Sequence, residues 1–183
     1  SSVYLFTEAI IKYGSEEMKK DLLPKLVSGD VIGTLAVTED LFAPSKDNIK
    51  LSCESGKING KKIAVPDASI ATHALVVAKS EKGICLQIAD LSHEGVSIEH
   101  QENIDESRGH FSITFDGVDT QAIGDEISGW DIYESIINQA AVLFAYEQIG
   151  GSQASLDMAV NYAKERYAFG RPIGSYQAIK HKL

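Results

Sequence analysis

The chain has 183 residues, 44% of them hydrophobic and 8% aromatic, which is enough apolar content for a packed core and too much for a disordered segment. Its net charge of −9 argues against general nucleic-acid binding, and no apolar run approaches the roughly 18 residues needed to span a bilayer. The two cysteines, Cys53 and Cys85, show no pairing pattern; they read as buried small hydrophobes of a protein in a reducing, cytoplasmic compartment.

Residues 2 to 28 carry a helical pattern. Val3, Phe6, Ala9 and Ile10 fall on one face, Gly14 interrupts, and Ser15 is placed to cap a second helix with Glu16 and Glu17 in its first turn. Gly29 and Asp30 end it. From residue 31 to about 126 the pattern changes to short strands. Val31 to Val37 is an apolar run, and Asn59-Gly60 is the dipeptide that a tight hairpin favours. Ala74 to Ala78 and Ile84 to Ile88 flank a turn at Lys82-Gly83, while Val96 to Ile98 and Phe111 to Phe115 alternate with period two. Many short strands with turn signals predict a small antiparallel β-barrel or sandwich.

Residues 129 to 166 return to a helical pattern, with Ser128 as the expected cap and Ile136, Ile137, Ala140, Leu143, Phe144 and Tyr146 on apolar faces. Gly150-Gly151 lies inside this helix at a cost of roughly 1 kcal/mol per glycine, which predicts close contact with another helix. A further helix is expected from about Ser175 to the last residue. The chain opens and closes inside helical patterns, which suggests a piece of a longer polypeptide. The fold class expected is therefore α+β: a helical segment over 1–30, a β-domain over 31–127 and the start of a helical bundle over 128–183.

Charge is unevenly distributed. Residues 164 to 183 carry Lys164, Arg166, Arg171, Lys180 and Lys182 against Glu165 alone, so a net +4 follows a body of −13. A basic tail on an acidic body suggests a local anion site, although a solvated basic helix end has the same composition. Familiar catalytic patterns are absent. There is no G-x-G-x-x-G, P-loop or G-x-S-x-G, and His73, His93, His100, His110 and His181 form no metal-ligand spacing. Ser92-His93-Glu94 reads as a surface turn.

Four motifs, in order, resemble one family. Tyr162 through Gln177 contains R-x-x-F-G-x-P-I-x-x-x-Q as Arg166, Phe169, Gly170, Pro172, Ile173 and Gln177. Gly150-Gly151-Ser152-Gln153-Ala154-Ser155-Leu156-Asp157 is similar to G-x-x-Q-A-A-L-D, and Asn59-Gly60-Lys61-Lys62 to N-G-x-K. Gly14-Ser15-Glu16-Glu17, Leu23-Pro24-Lys25-Leu26, Gly29 and Ala36-Val37-Thr38-Glu39 resemble G-T-E-E, L-P-x-L, G and A-x-T-E. These are motifs of the acyl-CoA dehydrogenase family. The resemblance implies the end of an N-terminal helical domain, a whole middle β-domain and the start of a C-terminal bundle. It implies an FAD-dependent enzyme that takes the α-proton of an acyl-CoA thioester with a glutamate while the β-hydrogen leaves as hydride to the flavin. It also implies a homo- or hetero-oligomer, with electron-transfer flavoprotein as a redox partner.

Carried over by motif, Arg166, Phe169 and Gln177 are expected at the pyrophosphate side of the neighbouring subunit's FAD, where a planar guanidinium can bond two phosphate oxygens. Val37 and Thr38 are the expected contacts to this chain's own flavin ring. The ring-side pattern is otherwise thinned. Thr38-Glu39 runs into Asp40-Leu41-Phe42-Ala43-Pro44, with Pro44 where the family places a Ser; Ala64-Val65-Pro66 replaces W-I-T. The position of a catalytic glutamate on the long helix is Ala140, followed by Ala141, while Glu134 and Glu147 miss the register. No catalytic or metal-binding residue is therefore assigned. The alternative to an active dehydrogenase is a non-catalytic partner subunit that helps bind a neighbour's FAD.

Overall fold

The computed structural model describes residues 2–105 and 107–183. Two helices open the chain, α1 (Ser2–Tyr13) and α2 (Glu16–Ser28). Phe6, Ala9 and Ile10 of α1 are fully buried, joined by Leu5, whereas Val3 is left exposed. Ser15 caps α2 as its position demands: its hydroxyl accepts from the Met18 amide at 3.1 Å.

Seven strands follow: β1 (Gly33–Ala36), β2 (Ser52–Glu54), β3 (Lys57–Pro66), β4 (His73–Lys79), β5 (Ile84–Asp90), β6 (Val96–Gln101) and β7 (His110–Ile123). Strands β4, β2, β3, β7 and β5 pair in a ring that closes through β4–β5; β1 adds to β4 and β6 to β7. The barrel expectation holds, but the sheet is not wholly antiparallel. β1 and β2 both run parallel to β4 and share one of its edges, at His73–Val76 and at Lys79. Parallel partners need a long crossover, and here each pair is separated by intervening strands, so no local turn signal announces it. The core inside the ring comprises Ile58, Val65, Val76, Ile113, Phe115 and Val118, together with both free cysteines.

The Asn59-Gly60 hairpin is corrected. Both residues lie within β3, where the ladder to β7 shifts register between Ile58 and Gly60. Gly60 sits at φ +138°, and a Cβ there would fall 3.1 Å from Leu51 Cα; Asn59 Oδ1 accepts from the Gly117 amide across the sheet at 2.7 Å. The dipeptide continues the strand rather than turning: the extra residue of the bulge lies on β7, where Asp116 and Gly117 stand opposite Asn59, and glycine tolerates the Gly60 conformation beside Leu51. The hairpin turn is Ser55-Gly56, between β2 and β3. The Lys82-Gly83 turn is found where expected, with the Ser80 amide donating to Gly83 O at 2.8 Å.

The long helix α3 (Gly129–Glu165) begins in one compact unit, Ser1–Ile137, and continues into a second, Asn138–Leu183. Ser128 does not cap it by side chain; its hydroxyl turns back to Asp125, accepting from the amide and donating to the carbonyl. Among the described residues nothing lies within 4 Å of a Cβ built at Gly150 or Gly151. After α3 come a two-stranded ribbon, β8 (Tyr167–Ala168) and β9 (Arg171–Pro172), a 3-10 turn over Ile173–Ser175, and α4 (Gln177–Lys180). The last helix is thus a single turn that starts after Ser175 and stops short of Leu183.

Candidate functional site

In the first unit the site-forming segment leaves β1 at Val37. Val37 is buried; Thr38 is half-buried, and its carbonyl accepts from the Ile63 amide on β3 at 2.8 Å. The Thr38 hydroxyl has no partner in the chain among the described residues, so it is free for a ligand. Lys62 holds this segment from below. Strand parity puts Lys62 on the inward side with Ile58, and its side chain is fully buried. Its ammonium donates to Val37 O at 3.0 Å and to Glu39 Oε1 at 2.6 Å. The Glu39 carboxylate also accepts from the Lys50 and Leu51 amides, at 2.8 and 3.0 Å, which saturates it. Burial pushes the Lys62 ammonium down to about 8, against the pull of Glu39. Both residues fall inside the family-like motifs of the sequence, and alternation from Ile58 gives the inward direction of Lys62. Their pairing spans 23 residues, which no local pattern reveals.

The positions that depart from the family pattern offer little. Ala64 is exposed at φ +51°, and its amide donates to Gln101 Oε1 at 2.7 Å. Val65 is buried in the core. Pro66 has no N–H, and its carbonyl accepts from the Thr34 hydroxyl at 2.6 Å. Beyond Glu39, Leu41 and Phe42 stand exposed. Of the expected ring contacts, Thr38 alone presents an unused polar side chain.

In the second unit, Arg166, Phe169 and Gln177 cluster in sequence around the ribbon. The Arg166 backbone closes it: its amide donates to Tyr162 O and its carbonyl accepts from the Ile173 amide, both at 2.8 Å. Phe169 and Gly170 form the two-residue loop, at φ +52° and +79°. Positive φ at both positions matches the twist of such a ribbon, yet an aromatic there is costly and an outlier of the kind that gathers at ligand sites. Phe169 is 96% exposed. Tyr176 braces the turn by donating to Ala168 O at 3.0 Å, and the Arg171 guanidinium lies 4.0 Å over its ring. Arg166 and Gln177 are exposed, and Arg166 has no acidic partner among the described residues. An exposed guanidinium with no acidic partner among the described residues, on the ribbon whose loop exposes Phe169, suits an anionic, ring-bearing ligand. Val37 and Thr38 belong to the other unit.

The remaining candidates are structural. Glu134 accepts from Trp130 Nε1 at 2.7 Å, Glu147 is exposed and Ala140 is buried. Ser92-His93-Glu94 is a turn in which His93 Nδ1 accepts from the Gly95 amide. No group of three or more His, Cys, Asp or Glu could hold a metal ion among the described residues, nor is any helix there long and apolar enough to cross a membrane.

Residues 128–183 match the family model described as acyl-CoA dehydrogenase, C-terminal domain. An acyl-CoA dehydrogenase of Bacillus subtilis is 30% identical over 191 residues, covering 97% of this chain and 50% of the relative. The chain is similar to acyl-CoA dehydrogenases along nearly its whole length. A mitochondrial isovaleryl-CoA dehydrogenase of Oryza sativa is likewise 30% identical, covering 95% of this chain and 46% of the relative. The chain thus spans about half the length of the curated relatives it matches. Its fold matches that of a glutaryl-CoA dehydrogenase from Mycobacterium smegmatis in complex with FADH2, with a TM-score of 0.88 at 24% identity, over 100% of this chain and 49% of that one.

Proposed function

We propose that the chain works as part of an FAD-dependent acyl-CoA dehydrogenase, in a homo- or hetero-oligomer of related subunits. The observation that carries this reading is the exposed Arg166 guanidinium, with no acidic partner among the described residues, on the ribbon whose loop exposes the positive-φ Phe169. Arg166 would hold the pyrophosphate of a neighbouring subunit's FAD by two parallel hydrogen bonds, Phe169 would pack on it and Gln177 would add a neutral donor. Val37 and Thr38 would line this chain's own flavin, the Thr38 hydroxyl being the fitting polar group. When bound, FAD supplies the oxidising power that takes the β-hydrogen of an acyl-CoA thioester. The chain's part is to bind and orient; none of its residues is assigned the α-proton. Electron-transfer flavoprotein would then accept the electrons. Two free, buried cysteines suit a reducing, cytoplasmic setting.

The test is anaerobic addition of acyl-CoA thioesters of several chain lengths to the native oligomer loaded with FAD. Bleaching of the flavin band is expected with at least one; no bleaching with any contradicts a dehydrogenase.

A second reading is favoured by Ala64 and Pro66, which offer the ring no free donor. On that reading the chain lends Arg166 to a partner's FAD and holds none itself. A protein that is colourless alone and yellow only when purified with a related subunit would support it. A stoichiometric flavin in the chain alone would remove it.

A further inference from the structure

Glu39 and Lys62 form an enclosed ion pair at the root of the segment expected to meet the flavin. Their side chains are 9% and 0% exposed. A buried pair of this kind is weak evidence of stabilisation, because desolvating both charges consumes most of the attraction. Its geometry shows another use. The Lys62 ammonium reaches past Glu39 to Val37 O, and the Ile63 amide takes Thr38 O. The Glu39 carboxylate draws the Lys50 and Leu51 amides to the same point. Both backbone carbonyls of Val37 and Thr38 are therefore engaged from the β3 side, which leaves the Thr38 hydroxyl as the group without a partner among the described residues. The strand ends at Ala36, so no sheet hydrogen bond of β1 fixes Val37–Thr38.

We propose that Lys62 and Glu39 are positioning residues: together they clasp Val37–Thr38 so that the Thr38 hydroxyl is presented to the isoalloxazine side of bound FAD. The inference rests on the reading of Val37 and Thr38 as flavin contacts. It predicts that the clasp acts on how the flavin is held rather than on whether the barrel folds.

Three proteins separate the two effects. K62M leaves Glu39 buried without its partner and is the variant most prone to misfold. K62M/E39Q removes both charges; the Lys50 and Leu51 amides bond different oxygens of Glu39, so the side-chain amide that E39Q introduces keeps an acceptor for one of them and gives up the other. T38V removes only the hydroxyl. Each is compared with the parental oligomer by FAD titration, by the shape of the bound flavin's visible band, and by amide exchange. For K62M/E39Q the expected results are FAD affinity lower by about 10-fold, the change that one lost hydrogen bond brings, a visible band shifted in the same direction as in T38V, and faster exchange of the Ile63 amide. The β4–β5 amides should stay protected. An unchanged affinity and an unchanged band in a folded K62M/E39Q protein overturn the clasp while leaving the FAD reading intact. A parental oligomer that takes up no FAD overturns both.

Discussion

Raising the pH should stabilise the barrel through Lys62. Burial pushes its ammonium down to about 8 from the ordinary 10.5, and Glu39 only partly offsets this. Below pH 8 the folded and unfolded chains both hold the proton, and stability does not change on account of this group. Between about 8 and 10.5 the unfolded chain keeps a proton that the folded chain has released, so stability rises with pH and the gain is complete above 10.5. The gap corresponds to roughly 3 kcal/mol, at about 1.4 kcal/mol for each factor of ten. The assay is urea unfolding from about pH 7 to 10.5 on the parental protein and on K62M/E39Q, which titrates at neither position. Subtracting the two curves removes the other lysines and the tyrosines. The difference should move by about 3 kcal/mol in favour of the parental chain as pH rises. A flat difference, or one of opposite sign, would refute the argument that desolvation dominates at Lys62.

Other consequences are quicker to check. G60A forces a side chain into φ +138° beside Leu51, so it should lower stability by roughly 1–3 kcal/mol in denaturant titration; a neutral effect would show that β3 relaxes freely at this point. Cys53 and Cys85 are buried, and burial together with the adjacent Cys85 thiol holds Cys53 up at about 11. A thiol reagent near neutral pH should therefore find almost no reactive cysteine in the folded chain and both of them in urea. T38V should keep the barrel's stability within about 0.5 kcal/mol, since the half-buried hydroxyl it removes has no partner among the described residues, while lowering FAD affinity. Loss of stability with unaltered FAD binding would assign Thr38 to the strand alone.

Much of the architecture is legible because it is local. Apolar residues at helical spacing mark α1, a serine followed by two glutamates marks the start of α2, and period-two alternation marks β6 and β7. What local pattern cannot supply is partnership at a distance. Asn59-Gly60 has the composition of a turn, but its conformation is set by Leu51 packing against it and by Gly117 bonding to Asn59. The parallel pairing of β1 and β2 with β4 depends on strands that lie between them in sequence. Gly150-Gly151 reads as a contact point, yet in this chain nothing approaches it among the described residues.

The site divides in the same way. Arg166, Phe169 and Gln177 are readable as a contiguous motif, and the ribbon that carries them is built from neighbouring residues. The positive φ of Phe169 is not, since no side chain but glycine announces that conformation. Lys62 and Glu39 lie in separate motifs. Their union at 2.6 Å inside the protein emerges only when β3 is laid against the end of β1.

The function proposed for this chain turns on whether Arg166 holds the phosphates of a dinucleotide. The most direct measurement is FAD retention by the native oligomer, parental against R166A, after exhaustive dialysis and then by titration. The prediction is a flavin-bearing parental protein and a variant weakened by roughly 1.5–3 kcal/mol, or about 10- to 150-fold in affinity, with the fold intact. Equal flavin content and equal affinity in the two proteins would contradict it.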